Sequence, residues 1–337
     1  MDNRIYLLTG AAGLLGSNVS RKLVERGAKV RALVLEGDPA AKYIPAEVEI
    51  LFGDITDNES LERFFTVPDD MEVYVIHSAS IVTLNPNPNA KVHAVNVDGT
   101  QNILNKCISH KVKKLVYISS TGAIPERQGN LPIKEVSHFN TEGLVGYYSV
   151  TKAEASQLVM NALEMVPELD ASLVHPSGIC GPDDYSFGPV ADFIIKYANG
   201  KMSAGIEGTF NSVDVRDLAD GVIACCDKGR RGECYIMSNS LVSMQDMFHI
   251  INEAAGLNFN PKVLSVHVAK IAVKIMAVVS KFTKKSSQLT DFAIYNLARN
   301  NNFDCSKARA ELGFKCRPFE ESIGDEVRWL KEEGKIK

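Results

Sequence analysis

Short apolar runs alternate with segments of helical periodicity along the first half of the chain. The runs carry few charges and are rich in Val, Ile and Leu, which is typical of strands covered on both faces of a sheet. Six strands are predicted, at Ile5–Leu8, Ala28–Leu35, Val48–Phe52, Glu72–His77, Lys114–Ser119 and Ala171–His175. Helical patterns, such as the one at 90–110, separate them. Because strands that alternate with helices form a parallel sheet, the sequence predicts an α/β fold with a doubly wound sheet.

The length predicts a second, smaller unit beside this sheet. The 337 residues exceed one typical domain, yet no linker, repeat or low-complexity segment divides them. We expect the sheet domain to comprise 1–179, with 211–238 returning to it. The remaining ranges, 180–210 and 239–337, are expected to form a substrate lobe that is mostly C-terminal.

Composition and charge exclude several classes of function. The formal net charge is −4 and no basic stripe is present, so nucleic acid binding is not expected. No uncharged apolar run reaches the length of a membrane span, and the first predicted strand begins too close to Met1 to follow a signal peptide. The seven cysteines form no CxxC pair, which favours reduced thiols over a disulfide framework or a metal site. A cytoplasmic location without a metal is expected.

A glycine-rich turn follows the first predicted strand. The segment Thr9–Gly16, TGAAGLLG, opens a helical pattern directly after Ile5–Leu8. Gly10 can adopt backbone angles that a side chain forbids, Gly13 lets the main chain approach a pyrophosphate, and Gly16 lets the helix pack close to the strand. The phosphates would then bind at a helix N-terminus. The alternative is an ordinary strand–turn–helix built from small residues.

Candidate acid/base chemistry lies on a helical pattern at Val145–Met160. A spacing of four residues places Tyr148 and Lys152 on one helix face. A nearby ammonium favours the phenolate and lowers the pKa of the tyrosine, which could then exchange a proton with a substrate oxygen. The hydroxyl cluster Ser119–Thr121 follows the fifth strand, at the sheet edge where such folds bind ligands. The alternative for the Tyr–Lys pair is a surface contact at helical spacing.

Together, the TGxxGxxG turn, the hydroxyl cluster and the YxxxK helix resemble the extended short-chain dehydrogenase/reductase family across essentially the whole chain. The tail, with 302–308, 311–314 and Trp329-Leu330, is similar to the branch of dihydroflavonol reductases and 3β-hydroxysteroid dehydrogenases. The resemblance implies a Rossmann-type fold, NAD or NADP as cofactor, and hydride transfer at the nicotinamide coupled to proton transfer through Tyr148. The amphipathic pattern of Val268–Phe282 allows a homodimer.

The resemblance implies the cofactor-binding residues. They are Gly10, Gly13, Leu14, Leu15, Gly16, Glu36, Asp54, Ile55, Ser78, Ala79, Ser80, Ser119, Tyr148, Lys152, Pro176, Ser177, Gly178 and Ile179. Asp54 matches the acid that bonds the adenine amino group, although it could instead serve the start of a helix. Glu36 would repel a 2′-phosphate, which favours NAD over NADP.

The implied catalytic residues are Thr121, Tyr148, Lys152 and Asn96. In relatives with three consecutive hydroxyls the third member is catalytic, which selects Thr121. Lys152 would bind the nicotinamide ribose, and Asn96 would organise the site, although Asn96 could equally be only a helix-stabilising contact.

The resemblance implies an oxidoreductase that interconverts a hydroxyl and a carbonyl on a mostly apolar small molecule, such as a steroid-like or polyphenol-like compound or an aldehyde. The first alternative is a sugar-nucleotide epimerase or dehydratase that does not consume its NAD. The segment Thr121–Pro125 weakens that alternative because it lacks the Tyr-Gly pair that many of those enzymes carry. The second is a non-enzymatic dinucleotide sensor, which has no need for an acid/base group.

Two further segments belong to the expected lobe and its junction. Val268–Phe282 is amphipathic and is interpreted as a helix packed on the lobe, with a lid, a dimer contact or a membrane-surface contact as alternatives. Met276 is the residue of this segment that we expect to touch an apolar substrate. The charges of Val213–Asp217 are expected to pin the lobe to the sheet.

Overall fold

The computed structural model describes residues 3–271, 273 and 291–337. Its strands are β1 (Arg4–Thr9), β2 (Lys29–Val34), β3 (Glu49–Phe52), β4 (Glu72–His77), β5 (Lys114–Ile118), β6 (Ala171–Pro176), β7 (Gly178–Cys180), β8 (Ala204–Ile206), β9 (Thr209–Asp214), β10 (Cys234–Met237), β11 (Leu241–Ser243) and β12 (Lys262–Leu264). Its helices are α1 (Leu14–Glu25), α2 (Asn58–Phe65), α3 (Ala90–His93), α4 (Gly99–Ser109), α5 (Tyr147–Met165), α6 (Pro189–Ala198), α7 (Val215–Lys228), α8 (Met244–Ala255), α9 (Asp291–Ala298), α10 (Ser306–Leu312) and α11 (Phe319–Glu332).

A parallel sheet of seven strands forms the centre of the described structure. The strand order is β10-β6-β5-β4-β1-β2-β3, and every neighbouring pair runs parallel. Helices α2, α4 and α5 cover one face, and α1, α7 and α10 cover the other. Because side chains alternate along a strand, Leu7 packs into the first layer and Leu8 into the second, both fully buried. The predicted doubly wound α/β fold is confirmed.

A smaller unit packs beside the carboxyl ends of the strands. It contains the three-stranded sheet β11-β9-β7 and the pair β12-β8. Helices α6, α8 and α11 bury a core around Phe248, Ile323 and Leu330. A second cluster joins Ile206 to Ile294 of α9.

Ion pairs join this unit to the central sheet. The buried carboxylate of Asp214, at the start of α7, pairs with Arg216 at 2.7 Å and with Arg317 at 3.4 Å. Arg216 also reaches Asp325 of α11 at 2.6 Å, and Arg317 reaches Asp217 at 2.8 Å. Helix α7 packs on the central sheet and α11 belongs to the smaller core, so the expected pinning role of these charges is confirmed.

The six predicted strands are confirmed, with boundaries that differ by at most one residue at the first five and by one at the end of the sixth. The seventh, β10, was not predicted as a strand. The helix predicted at Val145–Met160 was wrong at both ends, because Gly146 has φ +90° and stops the helix from starting earlier, while its far end continues to Met165.

No helix among the described ranges is long and apolar enough to cross a membrane. Of Val268–Phe282, residues 268–271 and 273 are helical; the rest, with Met276, lies outside the described residues.

Candidate active site

The glycine-rich turn between β1 and α1 leaves no room for side chains at two positions. Gly10 has φ +73°, and a Cβ there would lie 2.7 Å from the main-chain nitrogen of Ala79. A Cβ at Gly16 would lie 2.1 Å from the Gly10 carbonyl oxygen. Real contacts are never so short, so only glycine allows this close approach of β1, α1 and the segment after β4.

The N-terminus of α1 is open to an anion. Gly13 occupies the N-cap position and provides no capping side chain, and the first turn carries no acidic residue. The amides of the first turn, which include those of Leu14 and Leu15, therefore meet neither a capping oxygen nor a repelling carboxylate. Such an end favours a phosphate group. The predicted pyrophosphate position fits these residues.

A chain of buried hydrogen bonds links this turn to β4 and α4. Thr100 donates its hydroxyl proton to the main-chain oxygen of Asn96 (2.7 Å), so its oxygen accepts from Nε2 of His77 (3.0 Å). Nδ1 of His77 then accepts from the Thr9 hydroxyl (2.8 Å), whose oxygen accepts from the amide of Ala79 (3.3 Å). Burial lowers the pKa of His77 to about 3, so the imidazole stays neutral and keeps this tautomer.

Asn96 connects the loop after β4 to α5. It lies in a π-helical turn, Ala94–Asp98, between α3 and α4. Its amide accepts from the Ile81 amide (2.8 Å) and donates both to the Ile81 carbonyl (3.1 Å) and to the Thr151 hydroxyl (3.1 Å). Thr151 is one residue before Lys152. Asn96 therefore fixes the loop against the helix that carries the predicted acid/base pair, and its contacts are not confined to its own helix.

Tyr148 and Lys152 lie on α5, as their spacing predicts. The ammonium group of Lys152 donates to the Ile118 carbonyl at the end of β5 (2.7 Å) and lies 4.9 Å from the centre of the Tyr117 ring. The side chain is 2% exposed, and burial lowers the pKa of Lys152 to about 7. Burial raises the pKa of Tyr148 to about 12, against the opposing effect of hydrogen bonds with the hydroxyls of Ser120 and Ser80. The predicted lowering of the tyrosine pKa by Lys152 is therefore wrong for the free protein, because burial raises this pKa and the phenol stays protonated at neutral pH.

The three consecutive hydroxyls after β5 have different surroundings. Ser119 shares a hydrogen bond with Ser156 of α5 (2.7 Å). Ser120 begins the short helical turn Thr121–Ala123, accepts from the Gly122 amide (3.0 Å), and is the member that interacts with Tyr148. The sequence pointed to Thr121 for that position, but the structure brings Ser120 to the tyrosine. Which hydroxyl reaches Tyr148 depends on how the chain turns after the last residue of β5. Three similar side chains in a row do not reveal that turn.

The segment after β6 offers a buried hydrogen-bonding group. The hydroxyl oxygen of Ser177 is buried and has no hydrogen-bond partner among the described residues. At Gly178 a Cβ would lie 2.9 Å from the hydroxyl of Ser212. An unpaired buried hydroxyl costs free energy unless a ligand bonds to it. This fits the predicted contact with the nicotinamide carboxamide.

The far edge of the predicted cofactor site carries two acidic residues. Asp54 accepts from both the amide and the hydroxyl of Thr56 (2.8 Å each). Asp57 is the N-cap of α2, and Asp54 forms a turn three residues before that cap, so its alternative role near the helix start stays open. Glu36 is exposed after β2, while the nearby cation Arg31 is held by Glu49 (2.9 Å) and by main-chain oxygens. The adenine and ribose contacts of these residues stay predictions.

Sequence reasoning missed His175 of β6, whose Nδ1 donates to the main-chain oxygen of Ser120 (3.1 Å) while its ring stacks on Phe139. Its Nε2 has no hydrogen-bond partner in the described structure. The position reads as an ordinary buried strand residue, and only the pairing of β6 with β5 places it beside the hydroxyl cluster.

Comparison with known proteins agrees with the observed fold. Residues 6–238 match the family model described as "NAD dependent epimerase/dehydratase family". The chain is 29% identical to sterol demethylase protein B of Methylococcus capsulatus over 98% of this chain and 99% of that protein. It is 26% identical to a putative dihydroflavonol 4-reductase of Synechocystis, over 98% and 96% of the two chains. The crystal structure of gox2253 is similar over 99% of both chains, with a TM-score of 0.85 and 27% identity.

Proposed function

The chain belongs to the NAD-dependent epimerase/dehydratase family, and on that premise we propose that it is an oxidoreductase that interconverts a hydroxyl and a carbonyl on a mostly apolar small molecule. The observation that carries the proposal is the position of Tyr148, which interacts with the hydroxyls of Ser120 and Ser80 and lies one helical turn before the buried Lys152.

The residues present fit NAD, and each has a task in holding it. The amides of the α1 N-terminus would bind the pyrophosphate, with Gly10 and Gly16 allowing the approach. Ser177 would bond the nicotinamide carboxamide, and Lys152 would bond the ribose. When bound, NAD exchanges a hydride with the carbon of the substrate.

The protein's own residues handle the proton. Tyr148 is protonated at neutral pH, since burial raises its pKa to about 12, so it can give its phenol proton to the oxygen of a bound carbonyl. Ser120 would donate its hydroxyl proton to that oxygen. Because Ser120 is the hydroxyl that interacts with Tyr148, we propose Ser120 in place of Thr121 as the catalytic hydroxyl. His175 supports Ser120 from behind through the main-chain oxygen.

Exposed apolar side chains that flank Ser80 and Tyr148 in sequence, here called the apolar rim, support an apolar substrate. Val82 and Leu84, which follow Ser80, are 57% and 48% exposed, and Val145, three residues before Tyr148, is 38% exposed. Exposed apolar side chains near a polar reacting group are typical of sites for apolar small molecules. A relative named as a putative dihydroflavonol reductase agrees with this chemistry.

The experiment follows the near-ultraviolet absorbance of NADH and of NADPH with a panel of ketones, aldehydes and steroids. Consumption is expected with the wild-type protein, and Tyr148→Phe should lower kcat by about 100-fold or more while NADH affinity changes little. Tyr147→Phe is the matched control, because Tyr147 has no lysine four residues later, and it should retain turnover. Undiminished turnover by Tyr148→Phe would remove the proposed mechanism. Bound NAD that is never consumed, with turnover of a sugar nucleotide, would establish the epimerase alternative.

A further inference from the structure

A cavity with charged residues in its lining lies between the chain that follows the hydroxyl cluster and α9. Its volume is about 430 Å³. The residues that line it are Glu126, Lys270, Ile294, Tyr295, Ala298 and Arg299. Three of them carry charge, which sets this cavity apart from the apolar rim.

Both walls of the cavity are continuous with the catalytic elements. Glu126 lies three residues after the helical turn Thr121–Ala123. On the other wall, α9 packs the ring of Phe292 against Gly146, where a Cβ would lie 2.2 Å from the ring. Gly146 is the N-cap of α5, two residues before Tyr148. Both walls of the cavity thus belong to chain segments that also border the predicted acid/base residues.

Arg299 is the group with unused hydrogen-bonding capacity. Its side chain is 9% exposed, and its Nε has no hydrogen-bond partner among the described residues. Its guanidinium carbon lies 5.8 Å and 6.0 Å from the centres of the Tyr295 and Phe303 rings, which hold the group in place. A buried guanidinium with an unsatisfied donor is costly unless a ligand completes its hydrogen bonds.

Glu126 accepts no hydrogen bond from Nε of Arg299. Its nearest carboxylate oxygen lies 3.9 Å from Nε of Arg299, beyond hydrogen-bond distance. The carboxylate instead accepts from the hydroxyl of Tyr295 and from the amide of Asn300 (3.2 Å). Two cationic side chains, Arg299 and Lys270, therefore face one anionic side chain that is already bonded. The wall has an excess of one positive charge.

We propose that this cavity binds a carboxylate at the end of the substrate remote from its reacting carbonyl. The inference rests on the proposed function and narrows its substrate to an apolar ketone or alcohol that also bears an acid group. A guanidinium binds a carboxylate with two parallel hydrogen bonds, and one negative charge balances the excess of the wall. A diphosphate would bring at least two negative charges against Glu126, so the carboxylate is favoured.

The test compares 9-oxodecanoate, a ketone with a distant carboxylate, with its methyl ester. Calorimetric titration is done on the NAD⁺-saturated protein, in which a ketone can bind without being reduced. The acid is expected to bind at least about tenfold more tightly than the ester, and Arg299→Gln should remove that preference without weakening the ester. Glu126→Gln should tighten the acid further.

Arg127→Gln is the matched control, since it removes the same charge from the exposed neighbour of Glu126 outside the cavity, and it should keep the preference for the acid. If Arg299→Gln folds poorly, Arg299→Lys keeps the charge and should show an intermediate preference. Equal binding of acid and ester by the wild-type protein, or an Arg299→Gln variant that keeps the preference, would overturn the proposal. So would displacement of 9-oxodecanoate by inorganic pyrophosphate at a lower concentration than by decanoate. Arg299-dependent binding without NADH-dependent reduction would instead contradict the proposed function and leave the carboxylate site standing.

Discussion

Ser120 is the residue at which sequence and structure separate most clearly. The strand ends at Ile118, and the following chain directs Ser119 to Ser156 and Ser120 to Tyr148. Local sequence identifies a cluster of hydroxyls at this sheet edge, but it cannot rank three neighbours of similar chemistry. That ranking depends on the backbone turn and on the α5 helix, which is distant in sequence.

Two matched variants test this assignment. Ser120→Ala removes the hydroxyl beside Tyr148 and should lower kcat by about 100-fold, as expected for the loss of one hydrogen bond that stabilises the transition state. Thr121→Val keeps the side-chain shape and should lower kcat far less. Steady-state kinetics with the best ketone of the panel gives both values. A larger loss for Thr121→Val than for Ser120→Ala would return the role to Thr121.

Burial of Lys152 is expected to lower the free energy of unfolding, although the residue is required for turnover. Burial lowers its pKa from the ordinary 10.5 to about 7, so the unfolded chain binds more protons than the folded one between these values. Stability of the wild-type protein therefore rises with pH across that window. Lys152→Met removes the buried charge and should raise Tm, with the full gain at and below about pH 7 and a smaller gain towards pH 10.

Thermal unfolding of both proteins at pH 6.5, 8 and 9.5 measures this difference, and the variant should have lost its turnover. A gain in Tm that is independent of pH, or a loss of Tm at every pH, would show that burial does not lower the pKa of Lys152.

At the scale of elements, apolar runs predict the first six strands, and all of these except the edge strand β3 are largely buried. Helix boundaries are less accessible, since Gly146 decides where α5 begins through its φ of +90° and its contact with Phe292 of a distant helix. The π-helical turn at Ala94–Asp98 is likewise invisible in the apolar pattern, yet it places Asn96 between the Ile81 loop and α5.

The β1–α1 turn allows a matched test of close packing. Gly10 and Gly27 have nearly equal φ, +73° and +72°, but a Cβ at Gly10 meets Ala79 at 2.7 Å, whereas nothing lies within 4 Å at Gly27. Gly27→Ala should cost only the strain of a positive φ, about 1 kcal/mol, and leave NADH affinity unchanged. Gly10→Ala should cost more and weaken NADH binding at least about tenfold.

Chemical denaturation and NADH fluorescence titration measure both effects. Equal losses of stability for the two variants, with NADH affinity preserved in Gly10→Ala, would show that the turn does not depend on the close approach of the Ala79 segment.

At the scale of the whole molecule, the charges of Asp214, Arg216, Arg317 and Asp325 hold the smaller unit over the carboxyl ends of the central strands. The pattern of 213–217 indicated a pinning role, but its partners lie about a hundred residues later and could not be read from it. The same holds for the cavity at Glu126 and Arg299. Its walls come from segments about 170 residues apart in sequence and carry no local motif, so only the fold brings them together.

The central claim is that the site reduces a substrate carbonyl with NADH. The stoichiometry of that reaction tests the claim most directly. The wild-type protein, given excess ketone from the panel, is expected to consume one NADH for each alcohol molecule formed. Tyr148→Phe is expected to consume NADH and to form alcohol far more slowly. Alcohol formed without loss of NADH, or a bound cofactor that stays unchanged while a sugar nucleotide is converted, would contradict the account.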